Sequence, residues 1–458
     1  MKLTFAEKAG YGIGALGKDM ACGIVNTFLM FYFTDIIGLA PAFLGVLFMV
    51  ARIWDAVNDP MVGWLVDNTH SRMGKFRPWI LIGTLSNAIV LVVMFMNPGI
   101  KGAGQYVFYS VLFLLWDLSY TLEDISYWSM IPALADDEGE RNVISVIPRI
   151  FAAFGNIAVG TFGLVVVNAM GKVAPGALPT PAQQSAGFFW LAAFIAVIFI
   201  ITNVITVIFV KEKIVVHQEK KFKFREIYTV ITKNDQLLVI MASITLYTLA
   251  INLTGTLGLY WFKYDVGDAG LYGKFYFTAA AQILAMFLFP TFAKKFSRRK
   301  VFTLSAILPI IGYISLYIVG KAFDDNFILM AVAGLVLFFG FGFSLVLTSV
   351  MLADAVDYGE WKLGVRSESI VFSMQTFMVK LAMAVSGLLT GVGLAAFGFV
   401  ANTEQSPAAL TGIRLLMFVV PGLLIVASLA IYLKGYKLNG ARFASIKADL
   451  EQRRVKRA

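Results

Sequence analysis

Apolar residues fall in long runs along this chain, each ended by a short polar stretch. The runs lack the strict alternation of a half-buried strand. Most of them exceed the roughly 20 residues that a helix needs to cross a bilayer. They predict twelve spans, at 11–38, 41–67, 78–97, 105–134, 143–170, 185–210, 236–262, 269–293, 301–319, 327–356, 370–400 and 409–433. Runs of that length imply tilt, or helix continuing beyond the bilayer. The predicted fold class is an all-α polytopic membrane protein of twelve transmembrane helices in two pseudo-symmetric six-helix halves.

Composition agrees. Of 458 residues, 59% are hydrophobic and 14% charged, too apolar for a soluble protein of this size. The formal charge of +10 would suggest a nucleic-acid partner in a soluble chain. Here the basic residues crowd alternate loops instead. Arg72, Lys75 and Arg77 follow the second span; Lys211, Lys213, Lys220, Lys221, Lys223, Arg225 and Lys233 fill the central loop. Lys294, Lys295, Arg298, Arg299 and Lys300 follow the eighth span, and Lys447, Arg453, Arg454, Lys456 and Arg457 mark the tail. The opposite loops hold only isolated lysines: Lys101, Lys172, Lys263 and Lys321. The positive-inside rule then places both termini and the central loop in the cytoplasm. Lipid and small molecules are the expected partners, nucleic acid is not, and the functional unit is read as a monomer. The start, MKLTFAEKAGYG, lacks a cleavable signal pattern, so the first helix is expected to stay as a span.

The expected organisation is an N-terminal half at 1–210, a cytoplasmic loop at 211–235, a C-terminal half at 236–435 and a basic tail at 436–458. GWLVDNTHSRMGKFRP after span two and PTFAKKFSRRKVF after span eight echo each other weakly, as duplication would leave them. The single cysteine, Cys22, excludes a disulfide within the chain and reads as packing. His70 and His217 fall in predicted loops, which leaves little for a histidine metal site or a Ser–His triad. No resident cofactor is expected.

The chemistry concentrates in the first half. Lys18, Asp19, Arg52, Asp55, Asp59, Asp117, Glu123, Asp124 and Arg149 all fall inside predicted spans, where charge is costly and usually functional. Asp55 and Asp59 share a helical face. Carboxylates about 6 Å apart, at an effective dielectric near ~20, repel by roughly 2.8 kcal/mol. A proton or a bare monovalent cation would relieve them, with Asn58 and Thr121 adding neutral oxygens. The plainer alternative is a salt bridge to Arg52, which can neutralise one acid and not both.

In span four, Asp117, Tyr120, Thr121, Asp124 and Trp128 recur at helical spacing. Carboxylates accept pairs of sugar hydroxyls, and an aromatic face covers the apolar side of a pyranose, so this face suits a sugar. An aromatic packing stripe is the competing account. Glu123 points roughly 100° from Asp124 and stays unassigned. Lys18, Asp19 and Arg149 can be partners of acids elsewhere, or can open to receive hydroxyls. In span eleven, Ser373, Gln375, Thr376 and Lys380 form a polar face; Gln375 is a plausible hydroxyl ligand and Lys380 a counter-charge. Asp354 and Asp357 lie near the end of span ten.

YGIGALGKDM, ARIWDAVNDPMVGW, SRMGKFRPWILIGT, SYTLEDISYWSMIP, IPRIFA, KNDQL, ADAVDYGEWKLGVRSESI and SMQTFMVK together resemble the glycoside–pentoside–hexuronide cation symporter family, from Tyr11 to about Asn439. The resemblance implies the major facilitator fold, with a substrate site at mid-membrane between two halves that rock in alternating access. It implies no enzymatic activity. It assigns Asp55, Asn58, Asp59 and Thr121 to a Na⁺, Li⁺ or H⁺ site. For the melibiose-type members it assigns Lys18, Asp19, Tyr120, Asp124, Trp128, Arg149 and Lys380 to the sugar, with Gln375 and Thr376 beside the pocket. The implied activity is symport of a glycoside such as melibiose with that coupling cation; another glycoside, a pentoside or a hexuronide driven by protons is the alternative. Departures from the melibiose-type pattern are Leu345 for a tryptophan in span ten, Asp117 for a glycine and Glu123 for an apolar residue. An enzyme acting on lipid-linked sugar is a rival of another class. It would need an acid/base pair near one membrane face, whereas these acids are mid-span and accompanied by Lys and Arg.

Overall fold

A computed structural model describes residues 3–134, 138–174, 176–212, 230–322, 326–364 and 368–455, and all regular structure among them is helical. His217 and the central-loop residues Lys213, Lys220, Lys221, Lys223 and Arg225 lie outside the described residues, as do Lys456 and Arg457 in the tail.

Twelve long helices follow in order: α1 (Phe5–Ile37), α2 (Pro41–Asp67), α3 (Arg77–Met94), α4 (Ala103–Ser129), α5 (Glu138–Met170), α6 (Pro181–Phe209), α7 (Asp235–Val266), α8 (Gly270–Lys295), α9 (Arg298–Ala322), α10 (Phe327–Leu363), α11 (Glu368–Ala396) and α12 (Pro407–Gly435). A polar helix α13, Gly440–Val455, closes the chain. Eleven of the long helices have the length and hydropathy of a membrane span. The other is α4, where Asp117, Glu123 and Asp124 interrupt the apolar surface. The helix richest in candidate chemistry is thus the one least like a span.

Helix ends depart from the hydropathy pattern where local chemistry decides them. α1 begins at Phe5 rather than near residue 11, because Thr4 and Glu7 form a reciprocal capping box. α6 begins at Pro181 by the same device, with Thr180 and Gln183. α10 runs on to Leu363 instead of stopping near 356. Its polar extension carries Tyr358 and Trp361, and Trp361 donates to Asp449 of α13 at 3.2 Å.

The chain divides into two compact units: Met1–His217 with Asp268–Phe277 and Leu394–Ser406, and Gln218–Gly267 with Thr278–Gly393 and Pro407–Ala458. In the first, α1 packs on α5 and α6, α3 on α4 and α6, and α2 on α4. In the second, α7 packs on α12, α9 on α10 and α12, and α8 on α10. The pairings of α1 with α6, α2 with α4, and α3 with α4 and α6 therefore recur six helices later. Each unit also ends its first helix in a π turn, Tyr32–Ile37 and Trp261–Val266. Each turn is stopped by a glycine in the left-handed region, Gly38 at φ 86° and Gly267 at φ 87°.

The first unit's core joins Tyr11, Ile80, Tyr127, Met130, Ile144 and Val207. The second unit's core runs from Leu237 and Phe343 to Tyr432 and on to Phe443, Ile446 and Leu450, which dock α13. Ile89, Phe162, Ile201 and Leu423 are exposed apolar residues, as lipid-facing positions require.

Candidate functional site

α1 is fixed against α4 by two tyrosines. The Tyr11 and Tyr127 rings stack at 4.4 Å, and each hydroxyl donates to the other residue's backbone carbonyl, Tyr11 at 2.6 Å. Two turns further along α1, Lys18 turns into the same interface and is 1% exposed. Its ammonium donates to Asp124 Oδ1 at 2.6 Å, and lies 4.8 Å from the Tyr127 ring centroid and 4.7 Å from that of Trp128. Burying a lone ammonium at mid-span is prohibitive, and a carboxylate with two aromatic faces compensates it.

Asp124 also accepts from Trp128 Nε1 at 3.1 Å, again on Oδ1. Its other oxygen makes no hydrogen bond among the described residues, and the side chain is 32% exposed. Asp19, next to Lys18, points to α5 and accepts on Oδ1 from Asn156 Nδ2 at 3.1 Å. It too keeps one oxygen without a hydrogen bond among the described residues. Arg149 of α5 is exposed, with its guanidinium carbon 5.9 Å from the Trp128 ring centroid. Tyr120 is half-buried and stacks on Trp116 at 5.4 Å. Lys18, Asp19, Asp124, Trp128 and Arg149 therefore come together around α1, α4 and α5. Two cations and two carboxylates balance there, and each carboxylate has an open oxygen.

The acid pair of α2 has a different environment. Arg52 donates to Asp55 Oδ2 at 2.6 Å through Nη1 and pairs with Asp117 Oδ1 at 3.1 Å through Nη2. The salt bridge weighed as the plainer alternative for Asp55 is thus present. It includes Asp117, which the sequence set on the sugar-suited face of span four and which the structure pairs with Arg52. Asp55 and Asp117 are nearly inaccessible, at 2% and 3% side-chain exposure. Asp59 lies one turn from Asp55 on the same helix. Asn58 and Thr121 are buried, and the Asn58 amide nitrogen has no hydrogen-bond partner among the described residues. Asp55, Asn58, Asp59 and Thr121 are oxygen-bearing side chains of the kind that suits a small monovalent cation, and the two carboxylates suit a proton.

Glu123 is fully buried with neither carboxylate oxygen hydrogen-bonded among the described residues. Its backbone faces α3 at Gly83, where an added Cβ would meet the Glu123 nitrogen at 2.7 Å. On α11 of the second unit, Gln375 and Lys380 are half-buried and Thr376 is exposed. Leu345, in α10, is exposed as well.

Sequence reasoning missed Asn156, Tyr11 and Tyr127. Asn156 had a readable signal: it lies seven residues after Arg149, two helical turns along the same face. The tyrosines gave none, because aromatic residues abound in every span.

The family described as MFS/sugar transport protein matches residues 10–440. The isoprimeverose transporter of Lactiplantibacillus pentosus is 32% identical over 98% of this chain and 92% of that protein. A putative sulfoquinovose importer of Salmonella typhimurium is 30% identical over 99% and 94%. Among solved structures, a D-xylose-proton symporter superposes with a TM-score of 0.67 over 93% of this chain and 97% of that one, at 13% identity.

Proposed function

We propose, from the premise that this chain belongs to the MFS/sugar transport protein family, a membrane transporter and not an enzyme, that it is a cation-coupled glycoside symporter. The observation that carries this reading is the pair of half-satisfied carboxylates at Asp19 and Asp124 beside buried Lys18. A neutral sugar supplies what they lack. Its hydroxyls donate to the open carboxylate oxygens, and its ring oxygens accept from Lys18 or Arg149. Hydrogen bonds to charged groups contribute about 1.5–3 kcal/mol each. Trp128, already held through its Nε1, offers its face to the pyranose C–H patch.

Asp55, Asn58, Asp59 and Thr121 bind the coupling Na⁺, Li⁺ or H⁺. Thr121 and Tyr120 stand next to each other on α4, and Asp124 lies one turn on, so cation occupancy and sugar binding share one helix. Each ligand then tightens the other, and the effect is reciprocal by linkage. Gln375, Thr376 and Lys380 are the second unit's candidates for sugar contact. Two positive against two negative groups around Trp128 favour an uncharged glycoside, melibiose or a related galactoside. The relative named for isoprimeverose makes a pentose-containing disaccharide the second reading. Basic residues in alternate loops favour an inner-membrane protein with cytoplasmic termini.

Proteoliposomes loaded to give either a Na⁺ or a proton gradient test this with melibiose, lactose, isoprimeverose and sulfoquinovose. Accumulation of one of these sugars under one gradient is expected. Equilibration without accumulation would make the protein a facilitator. No uptake of any of them under either gradient would overturn the reading.

A further inference from the structure

We propose that Asn156 is a positioning residue for sugar recognition, holding the Asp19 carboxylate so that a single oxygen faces the substrate. The inference rests on Asp19 being a sugar ligand, as proposed above.

An asparagine in a membrane helix needs a polar partner. Asn156 has two for its amide nitrogen: Asp19 Oδ1 at 3.1 Å, and the carbonyl of Ala152 on its own helix at 3.3 Å. With both N–H groups engaged, the amide cannot turn without losing a bond. The packing fixes it further. α1 and α5 cross at small residues: an added Cβ at Gly155 would come within 2.6 Å of the Leu16 carbonyl. On the facing helix, an added Cβ at Gly23 would stand 3.0 Å from Asn156 Oδ1. Asn156 is therefore wedged, and it accounts for the whole hydrogen-bonded environment of Asp19 among the described residues. The neighbouring Lys18 ammonium is the charge that competes for this carboxylate. Lys18 is already committed to Asp124 at 2.6 Å, and a freed Asp19 would swing toward it. Asn156 prevents that collapse, and Asp19 remains a directed acceptor for one hydroxyl.

Positioning of this kind acts on sugar affinity and leaves the cation site of α2 alone. The test is initial-rate uptake of isoprimeverose, or of whichever of the four sugars above the wild type accumulates best, at saturating coupling cation. In Asn156→Leu, close in volume but without a donor, KM is expected to rise about tenfold with the maximal rate within about twofold. Asn156→Gln, which keeps the amide, is expected to retain most of the affinity. Should Asn156→Leu fail to reach the membrane, Asn156→Ala, which the crossing admits sterically, replaces it. Unchanged KM in the donor-free variant overturns the inference, and so does an equal loss in Asn156→Leu and Asn156→Gln, since that marks a role in packing alone. Asp19→Asn runs in parallel. If it leaves KM unchanged, the sugar-site reading of Asp19 has failed, and the positioning inference fails with it for that separate reason.

Discussion

The two units treat charge differently. In the first, two ion-pair groups sit at mid-span, Lys18 with Asp124 and Arg52 between Asp55 and Asp117, beside the pairs Lys8–Glu140 and Lys75–Asp67 near helix ends. In the second, the pairs sit at helix ends. Asp235 opens α7 and meets Lys362 of α10 together with the Tyr358 hydroxyl. Asp265 closes α7 and receives Arg414 of α12 in a two-bond fork at 2.8 and 2.6 Å. Arg298 at the start of α9 pairs with Asp354, which also accepts from Tyr436 at 3.0 Å. Pairs at helix ends join one helix to the next, and the Asp265 and Asp354 carboxylates in them are themselves buried, at 1% and 5% side-chain exposure. Pairs at mid-span bear the full cost of burial, and a protein keeps such pairs for work that needs charge. The first unit thus holds ion pairs at mid-span, and the second holds pairs near helix ends and a polar face on α11.

Removing one acid of α2 breaks that contrast most severely. Asp59→Cys and Asp55→Cys are each expected to abolish accumulation against a gradient in the proteoliposome assay. Full accumulation in both would leave the α2 acids without a coupling role. Next come Lys18→Met and Asp124→Asn, each leaving a buried partner uncompensated. Sugar affinity is expected to fall about ten- to a hundredfold, read by isothermal calorimetry. An unchanged binding isotherm would return this pair to simple packing. Arg52 and Asp117 sharpen the comparison within the first unit. Arg52→Gln alone leaves two buried acids facing each other and should lower both yield and transport strongly. Asp117→Asn leaves the Arg52–Asp55 pair and should lose far less. The double variant should transport better than Arg52→Gln alone, and a double variant no better than that would remove Asp117 from the charge balance. The smallest effect on transport is expected in the second unit. Arg414→Gln should lower the melting temperature by several degrees, about 2–4 °C for each kcal/mol lost, with uptake near wild type. A transport defect at wild-type melting temperature would mean that helix-end pairs also take part in the cycle.

Hydropathy made the spans legible because membrane burial is a property of composition over a window. The pattern could not place the starts of α1 and α6, which the capping boxes at Thr4 and Thr180 determine. It also ended α10 early, because the extension past the bilayer is amphipathic and packs under α13. For the site, residue type and helical spacing identified the charged members. Partner choice stayed invisible. Spacing shows that Asp55 and Arg52 can meet, but not that Asp117 shares the guanidinium from another helix. Asn156 shares a face with Arg149 in the sequence, but its pairing with Asp19 depends on which helix faces it.

The paired π turns at Gly38 and Gly267 carry a historical consequence. YFTDIIG and WFKYDVG close the first helix of each unit with the same widened turn and the same left-handed stop. Neither sequence holds mid-span charge, so drift in transport chemistry has left them alone. They read as a seam kept from an ancestor half this length, shared by two units that now differ in where they carry charge.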